Sequence, residues 1–84
     1  MMRFEYDKEV NALYIYLREI PEGGVVRQIE LQEGVYLDAD KRGRTYGIEF
    51  LDLENFQQWL ERNGGLVEIP EHVMDIKTPG LAPA

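Results

Sequence analysis

The chain has no cysteine and no serine, and His72 is its single histidine. Without cysteine there is no disulfide staple, zinc ribbon, thiol nucleophile or iron–sulfur ligand. Without serine there is no serine triad, and one histidine cannot build a multi-histidine metal centre. Long apolar runs are missing as well. None approaches the ~20 residues that a membrane-spanning helix needs, and Met1-Met2-Arg3-Phe4 does not open a signal-peptide core. Excess positive charge is also absent. The 84 residues carry a net charge of −7, which repels phosphate backbones and anionic lipid, so neither nucleic acid nor membrane is expected as a partner. The expected setting is cytoplasmic.

What is present reads as one small folded domain. Hydrophobic residues make up 44% and charged residues 30%, a balance that supports a core rather than disorder. A chain of this size buries a thin core and does not divide into two. The domain is expected over residues 1–74. Residues 75–84, with Pro79, Gly80 and Pro83, are expected to be a flexible tail.

The first two-thirds alternate with the period of strands. Phe4 and Tyr6 alternate with Arg3 and Glu5. Ala12–Leu17 sets Leu13, Ile15 and Leu17 on one side and Tyr14 and Tyr16 on the other, which suits a central strand. Asp7–Asn11 fits the hairpin turn between these two strands. Val25–Leu31 and Val35–Ala39 follow, with Gly34 between them; Arg27 falls on the apolar side, as at an edge. Asp40-Lys41-Arg42-Gly43 is a turn, with Asp at its first position and Gly supplying a left-handed residue. Arg44–Leu51 returns with Tyr46, Ile48 and Phe50 inward, and Gly47 allows a close approach.

The period then becomes helical. Asp52 is an N-cap, Leu53, Phe56, Trp59 and Leu60 form an apolar stripe, and Asn63-Gly64-Gly65 ends the helix. Leu66–Ile69 reads as a short extra strand. The fold class is therefore α+β: an antiparallel β-meander of about five strands with one amphipathic helix on one face. The opposite face would carry Tyr14, Tyr16, Tyr36 and Leu51, and pairing of two such faces in a homodimer would hide them.

Two blocks resemble a known family. Tyr6-Asp7-Lys8-Glu9-Val10-Asn11-Ala12-Leu13-Tyr14-Ile15 is the first. Gly34-Val35-Tyr36-Leu37-Asp38-Ala39-Asp40, followed by Gly43-Arg44 and Gly47-Ile48-Glu49-Phe50-Leu51-Asp52, is the second. Both are similar to the small bacterial and archaeal proteins grouped as domain of unknown function 2283. The family usually has Asp where this chain has Asn11. The resemblance implies a small sheet-plus-helix domain, and no activity or catalytic residue comes with it.

Two functional readings compete. The first is a non-catalytic acidic interaction module that acts as a homodimer and binds a basic protein, met by residues 21–40, where Glu22, Glu30, Glu33, Asp38 and Asp40 face only Arg27. The second is a divalent-cation site or metal-dependent enzyme. Counting from Asp38, carboxylates fall at positions one (Asp38), three (Asp40) and twelve (Glu49), with Gly43 at six, which is the spacing of a calcium loop. Arg42 stands where that loop needs an oxygen, and the flanks read as strands, not helices. The interaction reading comes first, with no cofactor expected.

Overall fold

A computed structural model describes residues 2–76 of the chain. Five strands, β1 (Arg3–Asp7), β2 (Ala12–Tyr16), β3 (Arg27–Gln32), β4 (Val35–Ala39) and β5 (Thr45–Phe50), precede the helix α1 (Leu53–Arg62) and a 3-10 turn at Val73–Asp75. All neighbouring strands are antiparallel, and the architecture is α+β with a meander-like sheet. The spatial order is β1-β2-β5-β4-β3. Two hairpins, β1–β2 and β3–β4, thus flank a central strand that comes last in the chain.

Local chemistry explains the turns. Asn11 closes the first hairpin at φ 61°, a left-handed value that asparagine tolerates better than most residues. The Asp7 carboxylate accepts from the Glu9 amide at 3.0 Å. Between β4 and β5, the Gly43 amide donates to the Asp40 carbonyl at 2.9 Å and Gly43 takes φ 83°. Asp52 caps α1 by accepting from the Asn55 amide at 2.8 Å. Asn63 and the left-handed Gly64 end the helix.

Side chains on one face of the sheet form rows that run across the strands. Ile29, Leu37, Ile48, Ile15 and Phe4 are successive cross-strand neighbours from β3 to β1. Leu37, Ile48 and Ile15 in that row are fully buried. A parallel row contains Val35, Phe50 and Leu13, and ends at Tyr6. The helix lies over β2, β4 and β5. Its Phe56 and Trp59 meet Phe50 edge-on, with ring centroids 5.0 and 6.2 Å apart, a geometry favoured by the ring quadrupoles. Because α1 is centred on the middle strands, Phe4 and Tyr6 at the β1 end of these rows stay 59% and 49% exposed.

Two expectations need correction. Tyr46 is buried but does not belong to the apolar core cluster. The ladder slips between Asp38 and Ala39, so that Ala39 pairs with Thr45 and Tyr46 is an extra residue. Such a bulge changes which side chain faces inward. Thr45 takes the inner position and donates to the Pro70 carbonyl, while Tyr46 packs under the Arg18 guanidinium, 4.2 Å from its ring centroid. Leu66–Ile69 forms no strand. Instead, Val67, Ile69, Val73 and Ile76 pack against the core, and residues 71–73 strap the β4–β5 turn. Here Thr45 donates to the Glu71 carbonyl, Val73 donates to the Gly43 carbonyl, and Arg44 bridges His72. Asp75 ends the 3-10 turn and Ile76 packs against the core, while residues 77–84 of the expected tail lie outside the described residues.

The connection from β2 to β3 crosses the ends of β5 and β4. Asp40 anchors it. Its Oδ2 accepts from Arg18 and Arg44 at 3.0 Å each, and its Oδ1 accepts from the Arg42 and Arg44 amides at 2.9 Å. Burial alone would raise the carboxyl pKa. The Arg44 amide, the Arg18 guanidinium and the Arg42 amide outweigh it and hold Asp40 well below the usual carboxylate range. Among the described residues no helix is long and apolar enough to cross a membrane.

Candidate interaction face

The sheet face away from α1 also carries rows. One runs Glu5, Tyr14, Glu49, Tyr36, Glu30 across β1, β2, β5, β4 and β3, each residue the cross-strand partner of the next. Carboxylate and phenol alternate from edge to edge. The adjacent row runs Arg3, Tyr16, Gly47, Asp38, Gln28. This is the side that period-two alternation assigned to Tyr14, Tyr16, Tyr36 and Glu49. Leu51 lies one residue beyond β5, exposed, with its amide bonded to the Gly34 carbonyl at 2.9 Å. It stands at the margin of the face.

Hydrogen bonds tie the phenols to all but one of the carboxylates. Tyr14 donates to Asp38 Oδ2 at 2.9 Å, Tyr36 to Glu30 at 3.1 Å and Tyr16 to Glu5 at 3.4 Å. Gln28 donates to the other oxygen of Asp38 at 3.0 Å, which satisfies that buried carboxylate on both sides. Gly47 makes room for the Tyr14 ring: a Cβ there would sit 2.6 Å from Tyr14 Cε1 and collide with the Ile15 carbonyl. Tyr14 and Tyr16 lie with ring centroids 4.4 Å apart. Arg3 lies over Tyr16, 4.3 Å from its centroid.

Glu49 is the exception. It is half-buried between Tyr14 and Tyr36 and receives no hydrogen bond from any described residue. Burial first, and then the charge of Asp38, push its pKa up from the ordinary glutamate value. Tyr14 is also raised, by burial and then by its bond to Asp38, and Tyr36 is raised by its bond to Glu30. A raised phenol keeps its proton at neutral pH, so both tyrosines act as donors and aromatic surfaces, not as bases.

The calcium-loop spacing does not become a calcium loop. Asp38 and Glu49 share the open face as diagonal neighbours, whereas Asp40 is at the end of the sheet with both oxygens held by Arg18, Arg44 and two amides. The three carboxylates do not converge, and among the described residues no group of three His, Cys, Asp or Glu side chains could hold a metal ion. Arg27, which the alternation places on the apolar side, pairs with Ala39 and so belongs to the helix side. His72 is a strap residue. Its Nδ1 accepts from the Met74 amide at 3.0 Å, and its Nε2 lies 2.7 Å from the Arg42 carbonyl oxygen.

A single five-stranded sheet, covered by one helix on one side and bearing an acid–tyrosine row on the other, defines a small α+β domain with an open, polar sheet face. The chain belongs to the family described as protein of unknown function (DUF2283), whose model matches residues 3–53, the whole sheet and the start of α1. No curated protein and no solved structure matches it.

Proposed function

We propose that this domain is a non-catalytic interaction module that binds a basic protein segment on its open sheet face. The observation that supports this reading is Glu49: a carboxylate flanked by two phenol rings, lacking a donor among the described residues, next to the charge of Asp38. A lysine or arginine side chain placed there gains a charge partner below and aromatic faces on either side, a combination worth about 1–2 kcal/mol when partly desolvated. Arg3 over Tyr16 is an intramolecular precedent for a guanidinium seated on this face.

The row also sets a spacing. Glu5, Glu49 and Glu30 stand on every second strand, hence about 9.6 Å apart. A polyproline II segment rises about 9.3 Å per three residues and completes one turn in doing so. Cations at every third residue of such a segment would meet successive carboxylates. Pairing two open faces would instead bring the Glu5, Glu30, Asp38 and Glu49 carboxylates of both copies into one interface, so a cationic partner suits the face better than the face itself.

The test is titration of the protein with three labelled peptides: a proline-rich peptide with lysine at every third residue, an isomer with lysine at every second residue, and a glutamate version of the first. The expected order of affinity is third-residue lysine, second-residue lysine, then no binding by the glutamate peptide, with binding weakened by salt. Equal binding of lysine and glutamate peptides, or no binding of any, refutes the reading.

A further inference from the structure

We infer that the free edge of β1 is a self-recognition surface through which two copies pair, antiparallel and centred on Phe4, into one continuous sheet. The two edges of the sheet differ in how they are protected. The β3 edge slips register between Glu30 and Gln32, an irregularity that blunts strand pairing. β1 pairs with β2 without any slip, contains no proline, and all five of its residues are exposed. It ends an apolar row that α1 does not cover, leaving Phe4 and Tyr6 in water.

Charge selects the occupant and the register. Two-fold pairing that keeps each face on its own side must be centred on a residue opposite its own copy. Centring on Arg3 sets arginine against arginine, centring on Tyr6 sets Glu5 against Asp7, and centring on Glu5 offsets its two Arg3–Asp7 pairs with glutamate against glutamate on the axis. Only the Phe4 centre sets Arg3 opposite the partner's Glu5, twice by symmetry, with Phe4 on Phe4 and Tyr6 opposite Met2 on the helix side. Arg3 can be shared: its bond to Glu19 is long, 3.7 Å, between exposed groups, and such pairs hold little energy. The apolar row then continues from Ile48 and Ile15 through Phe4 into the same residues of the second copy. The open faces become coplanar, with Glu5 drawn into the pair with the partner's Arg3 and Glu49 and Glu30 left free. This contact thus differs from the face-to-face homodimer expected from the sequence, and it does not depend on peptide binding.

Sedimentation equilibrium of the full chain tests it without any peptide present. Wild type should be a dimer. Glu5→Lys should weaken the dimer on the order of tenfold by placing Lys opposite Arg3, and adding Arg3→Glu should restore it, because the swapped pair is again opposite in sign. Phe4→Glu should yield a monomer with unchanged far-ultraviolet circular dichroism. A wild-type monomer at millimolar concentration overturns the inference. So does a dimer that Glu5→Lys leaves intact, or one that the double swap does not rescue.

Discussion

Replacing Glu49 by Gln should make the protein more stable and its binding weaker. Glutamine keeps the length and shape of the side chain and removes its charge. In the folded chain that charge lies diagonal to Asp38, is half-buried and receives no hydrogen bond from the described residues. The folded state therefore holds the Glu49 proton more tightly than the unfolded chain does. The stability linked to this proton is present below the ordinary glutamate pKa and is lost as pH rises through the raised folded value. Above that raised value the wild type has lost it, and the variant never depended on it. Like charges at neighbouring positions of a sheet destabilise by about 0.2–1 kcal/mol. A gain of ~0.5 kcal/mol corresponds to a Tm rise of about 2–4 °C for a domain of this size. The same change removes the seat for the cation, and affinity for the third-residue lysine peptide should fall about tenfold. Thermal unfolding at intervals from pH 3 to pH 8, paired with peptide titration at neutral pH, checks both. A variant less stable than wild type at pH 7, or a stability gap that does not close towards acid, would refute the reasoning.

Asp40 should behave in the opposite sense. Its folded pKa is depressed, so its contribution is present above the ordinary aspartate value and is lost as pH falls. Asp40→Asn should lower Tm at pH 7, and the difference from wild type should shrink in acid; a pH-independent difference would show that the charge is not what matters. Gly43→Ala forces a side chain into a left-handed residue whose Cβ would sit 2.8 Å from the His72 ring. It should cost about 1–3 kcal/mol and speed hydrogen exchange at the Thr45 and Val73 amides, which hold the strap; unchanged exchange at both would argue against the strap. Asp52→Ala removes the cap of α1 and should cost about 1 kcal/mol, read as a Tm lowered by about 4–8 °C; an unchanged Tm would mean the cap contributes nothing.

Much of the fold was legible because it rests on local rules. Period-two alternation in residues 12–17 and 35–39, the Asp52 cap and the Asp40–Gly43 turn all follow from neighbours in the chain. The bulge at Tyr46 was not legible, since an extra residue in one strand shows only against its partner. Neither was the role of Asp40, whose local guanidinium partner Arg44 is joined by Arg18 only once the crossover is in place. The tyrosine side of the sheet was visible in the alternation of each strand. The Glu5–Tyr14–Glu49–Tyr36–Glu30 row was not, because it depends on β5 lying between β2 and β4, an order that nothing in the local pattern encodes. Glu5 and Glu30 therefore looked like ordinary outward charges. The strap was hidden for a similar reason: Leu66–Ile69 has strand-like residues, but Pro70 and the buried Thr45 hydroxyl turn the segment into a packed loop.

The position of β5 also has a consequence for how the chain is made. A ribosome releases β1–β2 and then β3–β4 while the strand that must join them is still inside the exit tunnel. Each hairpin alone is marginal in water, and the rows of the sheet stay cut into two halves until residues 45–50 emerge. The nascent chain therefore closes in one late step, with the shared centre acting as a keystone and α1 following directly behind it. With a linker of tunnel length appended, a chain ending just before Thr45 would present two separate, protease-sensitive hairpins outside the ribosome; one ending just beyond Arg62 would present the sheet and its helix.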